Sequence, residues 1–152
     1  MHSLDAFEYY FRKEIPLAIN ETTRIRLSSP DPETVKKGKK FIDVINSWGR
    51  PTILPGETLI GGNVVVKLSF WDGKVWLDNI FSLDAHKGNG SVILKKITDL
   101  ADQMEVDIIL HNVPFGSEEI RIDKKSLKKW YKKHGWEDVK MYGKDTMLRQ
   151  HK

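Results

Sequence analysis

The chain of 152 residues carries a formal charge of +4, with 39% hydrophobic and 30% charged side chains, which bounds it to one ordinary globular domain with a sizeable core. It has no cysteine, so disulfides, zinc-thiolate sites and a cysteine nucleophile are excluded. No apolar run reaches the roughly 20 residues of a membrane span and no signal peptide is recognisable, so a cytoplasmic protein is expected. The five histidines show no ligand spacing, and no metal is expected.

In chain order, residues 4–14 read as a short helix that Pro16 ends, with Leu4, Phe7, Tyr10 and Phe11 on one side. Residues 23–28 alternate as an extended stretch. Asp31-Pro32-Glu33 predicts a helix start capped by Asp31, running to about Trp48 and burying Phe41, Val44, Ile45 and Trp48. Gly49 is the expected C-cap, and Pro51 bars continuation. Residues 53–62, rich in Pro and Gly, read as loop with room for a short strand. Asn63 to Phe70 and Lys74 to Leu83 are the clearest strands, and the Asp72-Gly73 pair between them favours a tight hairpin.

A glycine-rich turn follows, Lys87-Gly88-Asn89-Gly90-Ser91, leading directly into an amphipathic helix with Ile93, Ile97, Leu100, Ala101 and Met104 on one stripe. A helix start carries unpaired N–H groups and partial positive charge, and glycines let an anion come close. The turn therefore suits a phosphate. It is neither a Walker loop, since Ser91-Val92 stand where Lys-Ser/Thr is required, nor a complete dinucleotide fingerprint, since Ile93 replaces the third glycine.

Val106 to His111 predicts another strand, and Pro114 and Gly116 break the chain. Asp123 is the expected cap of a last helix to about His134, closed by Gly135. Residues 136–149 finish with one or two strands turned at Gly143-Lys144. The last helix holds Lys124, Lys125, Lys128, Lys129, Lys132 and Lys133, which read either as a solvated face or as a patch for an acidic or nucleic-acid partner. Its apolar stripe, Leu127, Trp130, Tyr131 and His134, points Tyr131 inward. Trp71 and Trp76 should pack across the hairpin. A meander with a single strand–helix–strand crossover argues for an α+β fold with a mixed sheet rather than a doubly wound one.

The hairpin, then Ile80 to Ile93, then Leu127 to Trp136, resemble the GNAT superfamily of acyl-CoA-dependent N-acetyltransferases. That family carries Gln/Arg-x-x-Gly-x-Gly/Ala after a central strand and an aromatic-Tyr-x-x-x-Gly-aromatic stretch on a later helix. Here the latter reads Trp130-Tyr131-Lys132-Lys133-His134-Gly135-Trp136. The likeness spans about residues 57–149, and the chain also looks like bacteriophage-encoded members.

The resemblance implies a single domain over residues 1–152, with a mainly antiparallel central sheet flanked by helices and N-terminal helices over about 1–50 on the acceptor side. It implies acetyl-CoA as co-substrate, the pyrophosphate on Lys87, Gly88, Asn89, Gly90 and Ser91, and the pantetheine arm along Ile80, Phe81, Ser82 and Leu83. Tyr131 matches the tyrosine that protonates the departing thiolate. The first motif position is Ala85, which departs from the family and weakens one side-chain contact.

Direct acetyl transfer requires a held thioester, a neutral amine and a proton for sulfur. Asp78 is the candidate base. Strand alternation places it on a face with Ile80, Ser82 and Asp84 if no bulge intervenes. His111 and Asn112, at the end of the next strand, would line the acceptor side where two parallel strands splay. The acceptor stays open among a small polyamine-like molecule, a protein amine and a nucleic-acid amine. The rival expectation is a GNAT-like module that binds a protein or nucleic acid without turnover.

Overall fold

The computed structural model describes residues 31–84, 88–113 and 123–152. The helix expected at 4–14, the extended stretch at 23–28, the residues Ala85, His86 and Lys87, and the breaks at Pro114 and Gly116 lie outside them. Helix α1 (Pro32–Asn46) leads to strands β1 (Gly49–Pro51), β2 (Glu57–Ile60), β3 (Val64–Trp71) and β4 (Lys74–Ser82). Helix α2 (Asn89–Met104), β5 (Ile108–His111), α3 (Lys124–Lys133), β6 (Glu137–Val139) and β7 (Thr146–Arg149) complete the described chain.

The strands form one seven-stranded sheet in the order β1-β2-β3-β4-β5-β7-β6. Every neighbouring pair is antiparallel except β4 and β5, which α2 connects as a parallel crossover. The fold is thus α+β with a mixed, mainly antiparallel sheet. The β3–β4 turn is the tight hairpin expected, with Asp72 and Gly73 both at positive φ (54° and 70°), as a type I′ turn requires.

One hydrophobic core joins the sheet to all three helices. Val64, Val66 and Leu68 of β3 and Val75, Leu77 and Ile80 of β4 meet Phe41 and Ile45 of α1, Ile93, Leu94, Ile97 and Ala101 of α2, and Leu127 and Tyr131 of α3. The β4 core positions change parity between Leu77 and Ile80. The register explains it: Lys67 pairs with Asn79 and Leu68 with Leu77, so Asp78 is an extra residue, a β-bulge. An extra residue bends the strand and moves every later side chain to the other face. The expected common face of Asp78 with Ile80, Ser82 and Asp84 is therefore incorrect.

One helix cap holds its place and one moves. Asp31 occupies the N-cap of α1, but its carboxylate accepts from the Thr34 hydroxyl at 3.3 Å and makes no capping bond to the backbone. The C-cap is Ser47, and Gly49 already pairs with Ile60 in β1. Glycine is needed at 49 because a Cβ there would run into the Leu59 carbonyl. Val44, Trp48, Leu100 and Met104 sit half-buried at the margins of the core.

Candidate active site

The parallel ladder between β4 and β5 is short. It holds only Val75 with Ile108 and Trp76 with Ile109, although β4 runs on to Ser82 and β5 to His111. On their outer sides both strands stay paired to the end, Ser82 with Val64 of β3 and His111 with Thr146 of β7. The two central strands therefore diverge beyond Trp76 and Ile109, and the bulge at Asp78 bends β4 where the divergence begins. Ile80, Phe81 and Ser82 lie along this diverging edge, with the Ile80 side chain committed to the core. Leu83 follows, half exposed, its N–H donating to the Asn63 carbonyl at 2.7 Å.

The strand end is turned by Ser82, whose hydroxyl bonds the Asp84 carbonyl at 3.0 Å and accepts the Asp84 N–H at 3.2 Å. Gly88 then caps α2 at φ 74°, ψ 5°, a left-handed conformation that glycine adopts without steric cost. No side chain caps the helix, and the first turn holds no acidic residue. The first intrahelical bond is Val92 N–H to the Gly88 carbonyl at 3.2 Å. The N–H groups of Asn89, Gly90 and Ser91 thus precede the helical ladder, where the partial positive charge is largest.

The glycines of the turn serve different ends. A Cβ on Gly88 would meet nothing within 4 Å, so its requirement is the backbone angle alone. A Cβ on Gly90 would lie 3.6 Å from the Trp130 ring, an ordinary contact, so Gly90 lies directly beneath that indole without being required by it. The Trp130 indole N–H donates to the Ser91 hydroxyl at 2.7 Å, tying the turn to α3. In this bond the Ser91 hydroxyl is the acceptor. The place of Trp130 on the apolar stripe beside Tyr131 is visible in the sequence, but its partner 39 residues away is not.

Helix α3 begins as expected, with the Asp123 carboxylate accepting from the Ser126 N–H at 2.9 Å and the Ser126 hydroxyl at 2.8 Å. Tyr131 points inward and is 5% exposed, its ring 5.2 Å from Trp130 and 5.7 Å from Trp136. Among the described residues nothing hydrogen-bonds its hydroxyl. Burial pushes the phenol well above its ordinary value, so it stays protonated and can act only as a proton donor near neutrality.

The other wall of the divergence is the end of β5. His111 lies opposite Thr146, Nδ1 to Oγ1 3.2 Å, with the Trp76 ring 5.4 Å away. Asn112 is 1% exposed, and its N–H donates to the Asp145 carbonyl at 2.7 Å. Its side-chain oxygen is buried with no hydrogen-bond partner among the described residues, as is that of Asn79 on β4. A buried carbonyl left this way costs about 1–3 kcal/mol, and such groups commonly mark ligand contacts. Next to this wall Tyr142 donates to Asp72 and packs edge-on to Trp71 and Trp76, 5.5 and 5.0 Å between centroids. Trp71 and Trp76 pack on each other at 5.9 Å, as the hairpin pattern predicts.

The lysine helix divides into two flanks. Lys124 pairs with Asp145 at 2.6 Å, and Lys128 and Lys132 share Asp138 at 3.0 and 3.3 Å. Lys125, Lys129 and Lys133, spaced four apart on one stripe, are exposed and make no ion pair among the described residues. Among those residues no group of His, Asp or Glu could hold a metal ion, and no helix is long and apolar enough to cross a membrane.

The structure brings Gly90, Ser91 and Trp130 into one contact with Tyr131 next in sequence, and sets His111 beside Trp76 across the opening strands. Lys87 lies outside the described residues. No family model and no curated protein matches the chain. Among solved structures it is similar to the anti-CRISPR protein AcrVA5, at 19% identity and a TM-score of 0.50, over 61% of this chain and 97% of that one. The likeness is one of fold.

Proposed function

We propose that the protein is a GNAT-like N-acetyltransferase that moves the acetyl group of acetyl-CoA directly to a primary amine. The observation that carries this reading is the divergence of β4 and β5 at a bulge, together with a helix start opened by Gly88 and a buried phenol that no described residue hydrogen-bonds. Diverging strands leave main-chain groups for an amide-bearing arm such as pantetheine. The N–H groups of Asn89, Gly90 and Ser91 suit a pyrophosphate, and the Tyr131 hydroxyl suits a leaving sulfur.

In the reaction the amine lone pair attacks the thioester carbonyl carbon. The C–N bond forms, the C–S bond breaks, and the thiolate takes the Tyr131 proton while a base takes the proton lost by nitrogen. Ala85, outside the described residues, leaves the cradle to backbone N–H groups. The likeness to an anti-CRISPR protein makes a protein lysine of a CRISPR effector one acceptor to be screened, beside small amines and nucleic-acid amines.

Calorimetry with coenzyme A and mass spectrometry of an amine panel with acetyl-CoA test the reading. At 100 times its dissociation constant the ligand should stabilise the fold by about 2.7 kcal/mol. No binding at millimolar coenzyme A and no acetylated product would refute it. The stripe of unpaired Lys125, Lys129 and Lys133 favours a second reading, a module that docks on an acidic protein or nucleic acid. In that case coenzyme A binds without turnover and partner binding weakens steeply with salt.

A further inference from the structure

We propose that a second ligand site lies at the other end of the sheet from the glycine turn, in a cavity between the start of α1, the β3–β4 hairpin and the α2–β5 turn. It takes a small zwitterion with an apolar body, an apolar amino acid or a short peptide. The site stands apart from the acetyl-transfer reading and does not depend on it.

The cavity measures about 330 Å³, inside the range of about 300–1,000 Å³ that small-molecule sites occupy. Lys74 and Val75, the first residues of β4, line it, whereas the glycine turn follows Ser82, the last. At the rise of an extended strand, Val75 and Ser82 are about 20 Å apart. A ligand in this cavity is therefore remote from the diverging end of β4 and β5.

The wall is apolar where it meets the core. Phe70, Val75 and Val106 supply it, with Phe70 only half-buried. Gly38 sets how closely α1 lies on that wall. A Cβ there would overlap the Phe70 ring, so a larger residue would push the ring out of place.

The charges on the rim divide into held and unheld. Lys74 is held by Asp72, Nζ to Oδ2 3.8 Å, and Asp107 by His151 at 2.8 Å. Lys37 of α1 and Glu105, the C-cap of α2, also line the cavity. Both are exposed, and among the described residues neither makes an ion pair, with the other or with any further group.

An apolar wall between an unpaired ammonium and an unpaired carboxylate is complementary to a ligand of the reverse pattern. Its carboxylate would meet Lys37, its ammonium Glu105, and its apolar body Phe70 and Val106. A phosphate or other simple anion would meet Glu105 as a like charge. A simple cation would meet Lys37 in the same way, and a neutral apolar molecule would use neither charge.

Calorimetry and amide NMR with leucine, phenylalanine and the dipeptide Leu-Leu test the site. At least one should bind with a Kd of about 1 mM or tighter and shift the amides of Lys37, Phe70 and Glu105. N-acetylleucine lacks the ammonium and leucinamide the carboxylate, so each should bind about tenfold more weakly than leucine, or worse. Tighter binding of Leu-Leu than of leucine would support the site with a peptide as its source, and the reverse with a free amino acid.

Lys37→Gln and Glu105→Gln should each weaken binding about tenfold or more. Lys37→Glu combined with Glu105→Lys should recover what Lys37→Glu alone loses. Thr34→Trp, at an exposed lining position on α1, should fill the mouth and abolish binding without lowering the melting temperature. Three results overturn the site: no binding of any of the three probes at about 10 mM, binding that survives in the Lys37→Gln, Glu105→Gln double variant, or blocked analogues that bind as tightly as leucine.

Discussion

Tyr131→Phe is the most informative single change, because the structure separates its effect on chemistry from its effect on folding. The substitution keeps the ring against Trp130 and Trp136 and removes only the hydroxyl. Since no described group bonds that hydroxyl, its loss orphans no partner. Stability should stay within about 1 kcal/mol of wild type, on either side, because a buried phenol without a partner is itself costly. Catalysis should respond very differently. A positioned general acid supplies about 100- to 10,000-fold in rate, equivalent to about 2.7–5.4 kcal/mol of transition-state stabilisation. The assay is thiol release at saturating acetyl-CoA and amine, with single-turnover measurements to confirm that chemistry is observed. Burial raises the phenol above its ordinary value of 10.0, so its ionisation lies above the range from pH 6 to 9 and no high-pH loss should occur there. Turnover of Tyr131→Phe within about threefold of wild type would refute the role, as would a Tyr131-dependent loss of rate below pH 9.

Gly88→Ala forces a Cβ into a left-handed backbone angle with open space around it, so it should cost about 1–2 kcal/mol in chemical denaturation and weaken coenzyme A binding by calorimetry. Trp130→Phe removes the 2.7 Å bond to Ser91, and should lower stability by about 1 kcal/mol and loosen coenzyme A binding more than acceptor binding. Asp102→Asn breaks the bidentate pair with the buried Arg149 (2.8 and 3.0 Å) and should cost about 3 kcal/mol by denaturant titration, Asp102 being the more solvated partner. The Arg149 guanidinium lowers the Asp102 pKa from 3.8, so the pair's contribution is complete above 3.8 and lost as pH falls through the lower folded value. Asp102→Asn should flatten that acid limb of stability. Reversing Lys125, Lys129 and Lys133 to Glu should leave the fold intact, and should reduce the salt slope of any polyanion binding.

What was legible in the sequence obeys short-range rules. Short runs of β-branched and aromatic residues marked β3 and β4, and Asp72-Gly73 dictated the turn between them, because two positive φ angles in a row suit few other pairs. Asp123 announced the start of α3 because its cap partner, Ser126, is three residues away. The glycine turn and the inward stripe with Tyr131 followed from helical spacing. The failure at Gly49 has another source. Residue type was read as a C-cap, while a neighbour, the Leu59 carbonyl, decided the role.

The sequence by itself determined the described helices, strands β3, β4 and β5, their order and the α+β class, but not β1, since propensity and turn chemistry act over a few residues. Only the tertiary structure decided the site. The bulge at Asp78 exists because β3 pairs with β4 in a shifted register, which no local pattern on β4 records. Trp130 meets Ser91 across 39 residues, and His111 meets Thr146 across 35. The two-pair ladder of β4 and β5 depends on how α2 returns the chain to the sheet. These features arise from packing the three described helices on one sheet, where burial of the shared core sets register and divergence.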